Sequence, residues 1–207
     1  MCGRFSLDAD MEVLIEAFEL PGLPTPLPKR WNIAPTQPVL AVEEGPQGRT
    51  AEFRPWGLEV GKHPLINVRD ETFLSRPLFS RMARCLLPAT GFYEWRPVGR
   101  DRRQPYYFTT SDRRPFGLGA IRGRDGGCAI LTTEPNELVS PIHDRMPFIV
   151  PVDHYRAWLA GEPAEGLLKP LPAAAMRSWA VSACVNSPKH DGPECLDPPA
   201  EEELTLF

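Results

Sequence analysis

The sequence predicts an α+β fold, mostly short antiparallel strands forming a curved sheet or barrel-like core with a few short helices. Three observations predict it. Proline contributes 25 and glycine 16 of the 207 residues, a density of chain breakers that leaves little room for long helices. Hydrophobic residues make up 42% and charged ones 24%, the balance of a packed globular chain rather than a disordered or coiled-coil one. The apolar runs are short, β-branched or aromatic, and bounded by Pro and Gly, as strands are.

The elements follow in order. Ser6 and Asp8 offer caps for a helix reaching about Leu20, with Met11, Leu14, Ile15 and Phe18 on one face. A Pro-rich loop runs from Pro21 to Pro28. Strands are predicted over Val39–Val42, Ala51–Trp56, Arg84–Leu87, Phe92–Trp95, Tyr106–Thr110, Phe116–Ile121, Cys128–Thr133 and Phe148–Val152. Asp153 opens a short helix over Tyr155–Leu159 that Gly161 ends. A last strand is expected at Trp179–Val185. With no internal repeat or low-complexity linker, residues 1–196 read as a single domain, and 197–207 as an acidic tail.

Charge and cysteine usage narrow the function. The net charge is −4, which argues against a generally basic nucleic-acid binder. The balance is uneven, however. Residues 1–124 hold 18 Lys+Arg against 14 Asp+Glu, and residues 125–207 hold 5 against 13. Nineteen of the 23 basic residues are Arg, the side chain that grips phosphate through a planar fork. Five cysteines without a CxxC pair predict free thiols in a reducing compartment, with neither a disulfide framework nor a zinc site. No apolar run approaches the length of a membrane span, and no secretory leader is expected from Met1-Cys2-Gly3-Arg4.

The chemistry starts at residue 2. If Met1 is removed, Cys2 presents an α-amine and a thiol on adjacent carbons. An α-amine titrates at roughly 7.7–8.0, so a useful fraction is neutral near physiological pH. A neutral amine attacks an aldehyde to give a Schiff base, and the neighbouring thiol can close onto the imine carbon as a thiazolidine. Four further segments carry polar groups in apolar settings: Trp31-Asn32-Ile33-Ala34-Pro35-Thr36-Gln37, the stretch from Pro64 through Asn67, Arg69 and Asp70 to Thr72, the stretch from Arg84 through Gly91-Phe92-Tyr93-Glu94-Trp95, and Pro141-Ile142-His143-Asp144-Arg145-Met146-Pro147. A single carboxylate among aromatics, as at Glu94, is expected to titrate high and to suit proton transfer.

Together with Cys2-Gly3-Arg4-Phe5, these segments resemble the SRAP domain, the SOS-response-associated peptidase family of abasic-site processing proteins. The resemblance runs from Cys2 to beyond Asn186. It implies a protein that binds abasic sites in single-stranded DNA and traps the ring-opened sugar aldehyde on Cys2, with self-catalysed removal of Met1 and a possible lyase activity. It implies that Cys2 is the nucleophile and that Asn67 holds the N-terminus and the sugar. Glu94 would move protons, and His143 would be a second acid/base. Arg4, Arg69, Arg76 and Arg145 would contact phosphates, with Asn32 and Pro35 along the DNA path. No cofactor, metal or membrane partner is expected. A cytoplasmic monomer, nucleoid-associated during DNA damage, is the corresponding picture. A single basic groove made of Arg4, Arg69, Arg76, Arg81, Arg84 and Arg145 would reconcile DNA binding with the acidic total. The run from Arg100 to Arg103 reads instead as a solvated hairpin turn.

One departure stands out. Family members usually carry Pro and Trp shortly after a Trp-Gly pair, whereas here Trp56-Gly57-Leu58 runs through Glu59-Val60-Gly61-Lys62-His63 to Pro64. A stacked aromatic contributes roughly 1–3 kcal/mol per base. Weaker single-strand affinity is therefore expected, unless a neighbour such as Phe73 substitutes. The competing reading is an N-terminal-nucleophile amidohydrolase of the glutamine amidotransferase kind, which also begins Met-Cys-Gly, although the chain has no Asn-Gly pair for its oxyanion segment.

Overall fold

The computed structural model describes residues 2–100 and 102–200. In chain order the elements are β1 (Phe5–Leu7), α1 (Met11–Phe18), β2 (Arg30–Ile33), β3 (Pro38–Gly45), β4 (Gly48–Pro55), β5 (Asn67–Arg69), α2 (Asp70–Ser75), α3 (Pro77–Ser80), β6 (Ala83–Ala89), β7 (Gly91–Val98), β8 (Arg102–Thr110), β9 (Phe116–Arg122), β10 (Cys128–Thr133), β11 (Met146–Pro147), β12 (Ile149–Val150), α4 (Tyr155–Leu159) and β13 (Met176–Ala180). Short 3₁₀ turns occupy Val152–His154, Ala173–Ala175, Ala183–Asn186 and Pro193–Leu196.

The expected α+β architecture is present as two unclosed, predominantly antiparallel sheets. One is ordered β13-β8-β7-β1-β2, and the other β11-β10-β9-β6-β3-β4 with β12 on β9 and β5 on β10. The β5–β10 pair is parallel and sets Asn67 opposite Ile130 and Arg69 opposite Thr132. Phe5, Phe92 and Phe108 from the first sheet share one buried cluster with Leu86, Leu118 and Ile130 from the second. The opposite face of the first sheet, with Tyr93 and Tyr107, packs under Val181, Val185 and Cys195. Strand alternation thus decides the fate of the Gly91–Trp95 block. Phe92 and Glu94 face the main core, and Tyr93 and Trp95 face the second cluster. Gly91 is required at its position, because a Cβ there would lie 2.1 Å from the Tyr107 ring.

Local details depart from the sequence expectation for identifiable reasons. Ser6 is not a helix cap. It lies in β1, where its hydroxyl meets Thr90 Oγ1 at 2.9 Å and the Tyr107 hydroxyl at 2.8 Å. The first helix starts after Asp10 and stops at Phe18, with Glu19 in the left-handed region at φ 52° and the Leu20 N–H returning to the Ile15 carbonyl at 3.0 Å. The strand expected at Phe148–Val152 is split around Phe148, whose N–H donates to Leu131 of β10 and whose carbonyl accepts from Gly119 of β9. The strand expected at Trp179–Val185 instead spans Met176–Ala180. The chain leaves the sheet there because Ser182 caps the next 3₁₀ turn through the Cys184 N–H. Of the acidic tail, residues 201–207 lie outside the described residues, as does Asp101 of the arginine-rich hairpin.

Candidate nucleophile cleft at the N-terminus

Three elements bring the catalytic candidates together. Cys2 leads into β1 and is fully buried, with its thiol 3.8 Å from the Arg4 carbonyl. Asn67 opens β5 and donates from Nδ2 to the Cys2 carbonyl at 2.8 Å. Its Oδ1 is buried and has no hydrogen-bond partner among the described residues. Glu94 comes from β7, buried on the same face as Phe92. His143 follows β10 in the loop before β11, and its Nε2 lies 3.9 Å from Glu94 Oε2. These four residues come from positions as far apart as 2 and 143, and the β1–β7 and β5–β10 pairings converge them on one spot. Met1, whose removal the chemistry needs, lies outside the described residues.

The electrostatics follow from burial. Desolvation lifts the Glu94 carboxyl from 4.5 to about 7, so it is poised between acid and base near neutral pH. Desolvation first, and the nearby Glu94 charge second, push the Cys2 thiol well above its ordinary value, so the sulfur stays protonated while covered. Desolvation lowers the His143 pKa, favouring a neutral imidazole. His143 Nδ1 lies 3.0 Å from the Arg145 N–H, 3.1 Å from the Arg145 carbonyl and 3.0 Å from Asp144 Oδ1, while Nε2 faces Glu94. Among the described residues no cluster of three His, Cys, Asp or Glu side chains is placed to hold a metal ion.

An open cleft of ≈ 680 Å³ gives onto this group, lined by Gly3, Arg4, Pro35, Glu94, Trp95, Arg103, His143 and Asn186. Arg4 is fixed by neutral acceptors. Nη1 donates to Asn32 Oδ1 at 2.7 Å and to the Val185 carbonyl at 2.6 Å, and Nη2 to the Asn186 carbonyl at 3.2 Å. Asn32 is itself buried, donating to the carbonyls of Val185, Ser187 and His190. It therefore holds Arg4 in place rather than presenting its amide to the cleft. Pro35 lines the rim as expected. Arg69, at the end of β5, has a side chain 55% exposed, and Arg76 is exposed where α2 meets α3. Arg145 is placed differently, its side chain 13% exposed and bonded to Asp70, Glu71 and the Thr132 carbonyl.

The single basic groove expected from the sequence does not form as drawn. Arg81 lines a separate concavity with Leu58, Val60 and Leu78. Arg84 lies over the rings of Trp158 and Phe73, at 4.6 and 5.4 Å, and donates to the Glu162 carbonyl. Phe73 cannot replace the missing aromatic of the shortened loop, because it is 1% exposed and packs against Trp158. The aromatic that does reach the cleft is Trp95. Its indole N–H donates to Asn186 Oδ1 at 2.6 Å, and the Arg4 guanidinium sits 6.0 Å from its ring centre. Sequence reasoning gave Trp95 and Asn186 no role, although Trp95 adjoins Glu94. It read Arg103 as solvated surface. It also missed Thr132, whose buried hydroxyl has no partner among the described residues and lies on the same face as Asn67 by the β5–β10 register.

The family model described as SOS response associated peptidase (SRAP) matches residues 1–188. The chain belongs to the SRAP family. Among SRAP relatives, the Bacillus subtilis protein named abasic site processing protein YoaM is 33% identical over 95% of this chain and 98% of its own length. The Escherichia coli abasic site processing protein YedK is 30% identical over 96% of this chain and 100% of its own length. Among solved structures, a Bacteroides thetaiotaomicron protein superposes with a TM-score of 0.77 at 21% identity, covering 96% of this chain and 100% of that one.

Proposed function

We propose that this SRAP protein captures abasic sites in single-stranded DNA as a thiazolidine on Cys2. The observation that carries the reading is the fastening of the Cys2 backbone by Asn67 beside a buried carboxyl that titrates at about 7. Family membership and the names of the relatives support the same substrate. Loss of Met1, as self-processing, frees the α-amine. The amine adds to the aldehyde carbon of the ring-opened sugar. Protonated Glu94 then donates to the carbinolamine hydroxyl, which leaves as water. The Cys2 thiol adds to the imine carbon and its proton passes to nitrogen, closing the five-membered ring. The net balance is one water lost. His143, neutral and 3.9 Å from Glu94, accepts the proton that the carbinolamine nitrogen loses as the imine forms and relays it to the carboxylate. Arg4, Arg69, Arg76 and Arg103 hold phosphates around the cleft, and Trp95 offers a ring for a flanking base.

Mass spectrometry of the expressed protein, before and after exposure to an abasic single-stranded oligonucleotide, tests the proposal. The expected result is a chain beginning at Cys2 that gains the oligonucleotide mass less one water, resists SDS, and is absent in Cys2→Ala. A mature chain that gives no adduct, or one that instead releases ammonia from glutamine, would overturn it in favour of an amidohydrolase.

A further inference from the structure

A second pair of thiols lies behind the rim of the cleft. The segment from Ser182 to Asp197 crosses the outer face of the first sheet and supplies most of what fixes Arg4. It provides the Val185 and Asn186 carbonyls that accept from the guanidinium, and the carbonyls that hold Asn32. Asp191 adds a carboxylate that accepts from the Trp31 and Asn32 backbone N–H groups at 2.7 and 2.8 Å and pairs with Arg30. Cys184 and Cys195 sit near the two ends of this strap, in the adjoining turns Ala183–Asn186 and Pro193–Leu196. The Cys184 thiol donates to the carbonyl of Glu194, the residue before Cys195, at 3.6 Å. The Cys195 thiol donates to the His190 carbonyl at 3.4 Å and also meets the Cys184 side chain. Cys184 is part-exposed and Cys195 is buried, the arrangement of an accessible thiol backed by a resolving one. The other buried pair, Cys85 and Cys128 with sulfurs 3.8 Å apart, lies on β6 and β10 on either side of β9. Two strand spacings, about 9.6 Å, exceed the Cα separation a disulfide spans.

We infer that Cys184 and Cys195 form a reversible disulfide that staples the strap and with it the Arg4 cradle. The oxidant is hydrogen peroxide. The Cys184 thiolate attacks one peroxide oxygen, so that an S–O bond forms, the O–O bond breaks and hydroxide leaves as water. The Cys195 thiol then attacks the Cys184 sulfur and gives its proton to the departing hydroxide, so that the S–S bond forms and the S–O bond breaks with loss of a second water. Two thiols lose two electrons and the peroxide gains them. A small-molecule thiol reverses the step by exchange. Closing this short loop confines the strap in every state of the chain, so the contacts to Asn32 and Arg4 open less often. The disulfide stands independently of the proposed DNA chemistry. Only its consequence for single-strand grip rests on that reading.

The test treats the full-length protein with hydrogen peroxide, followed by alkylation and peptide mapping, with hydrogen exchange measured in parallel. The expected product has lost two hydrogens and yields a linked peptide containing Cys184 and Cys195, reversed by dithiothreitol. The Trp31 and Asn32 amides should exchange roughly tenfold more slowly in the oxidised form. In Cys195→Ser, where no link is possible, dimedone should trap a sulfenic acid at Cys184. Peroxide consumed at Cys2, or carried on to a sulfinic acid at Cys184 without any linked peptide, overturns the site. A linked peptide with unchanged exchange at Trp31 and Asn32 overturns the staple. Loss of crosslinking to abasic DNA, with the linked peptide still formed, would count against the proposed function and leave this inference standing.

Discussion

The floor and the rim of the cleft are built on opposite principles. The floor is dry: Cys2, Asn67 and Glu94 are buried, and burial is the main cause that moves the carboxyl to about 7. On the rim, Arg4 carries a formal charge that its hydrogen-bond acceptors do not cancel. Arg4 is held by two carbonyls and an amide oxygen, all neutral. A guanidinium fixed by neutral acceptors keeps its charge uncompensated by them, whereas the charge of Arg145 is paired with Asp70 and Glu71. Reactivity and grip therefore come from different physics and should separate on mutation.

The sharpest way to break that separation is Glu94→Gln. It should slow adduct formation by about 10²–10⁴-fold, the size of a general acid–base contribution, with single-strand affinity unchanged in a fluorescence-anisotropy titration. A parallel loss of affinity would merge floor and rim.

The next effect is on stability. Glu94 holds a proton in the folded state up to about pH 7, whereas the unfolded chain releases it near 4.5. The folded state thus binds more protons across that window, and stability falls as pH rises from 4.5 to 7. The loss amounts to up to about 3 kcal/mol. Denaturant melts at pH 5 and pH 8 should show the fall in wild type and a flatter profile in Glu94→Gln.

On the rim, Arg4→Gln should weaken single-strand binding roughly tenfold and reduce the salt slope by about one, leaving the pH profile of adduct formation where it was. Trp95→Ala should cost about fivefold in affinity with little change in salt slope, as lost stacking rather than lost charge predicts. The smallest effect is a gain. Asp70→Asn should free part of the Arg145 charge and raise affinity about twofold at low salt, with the advantage gone at high salt.

What was legible in the sequence was what is local in it. Cys2 stood out as the second residue, Asn67, Glu94 and His143 stood in short segments whose combination resembles the family pattern, and the structure brings all four to one place. The strand pattern read well wherever Pro and Gly bounded it. The rim was illegible because its meaning depends on distant partners. Arg4 is defined by residues 185 and 186, and Arg145 by residues 70 and 71. Nothing beside either arginine tells whether its charge is cancelled. Phe73 was attractive as an aromatic neighbouring the shortened loop, yet it packs against Trp158. Trp95 was overlooked because alternation along β7 sends it to the face opposite Glu94, and only the strap with Asn186 makes that face part of the cleft.

The reach of Arg4 across the chain has a consequence for synthesis. Its acceptors lie some 180 residues downstream, in a segment the ribosome makes long after the nucleophile has emerged. A nascent chain therefore carries Cys2 before it holds the residues that fix Arg4. Under the proposed function, the phosphate contact at Arg4 therefore depends on the strap having been made and folded back.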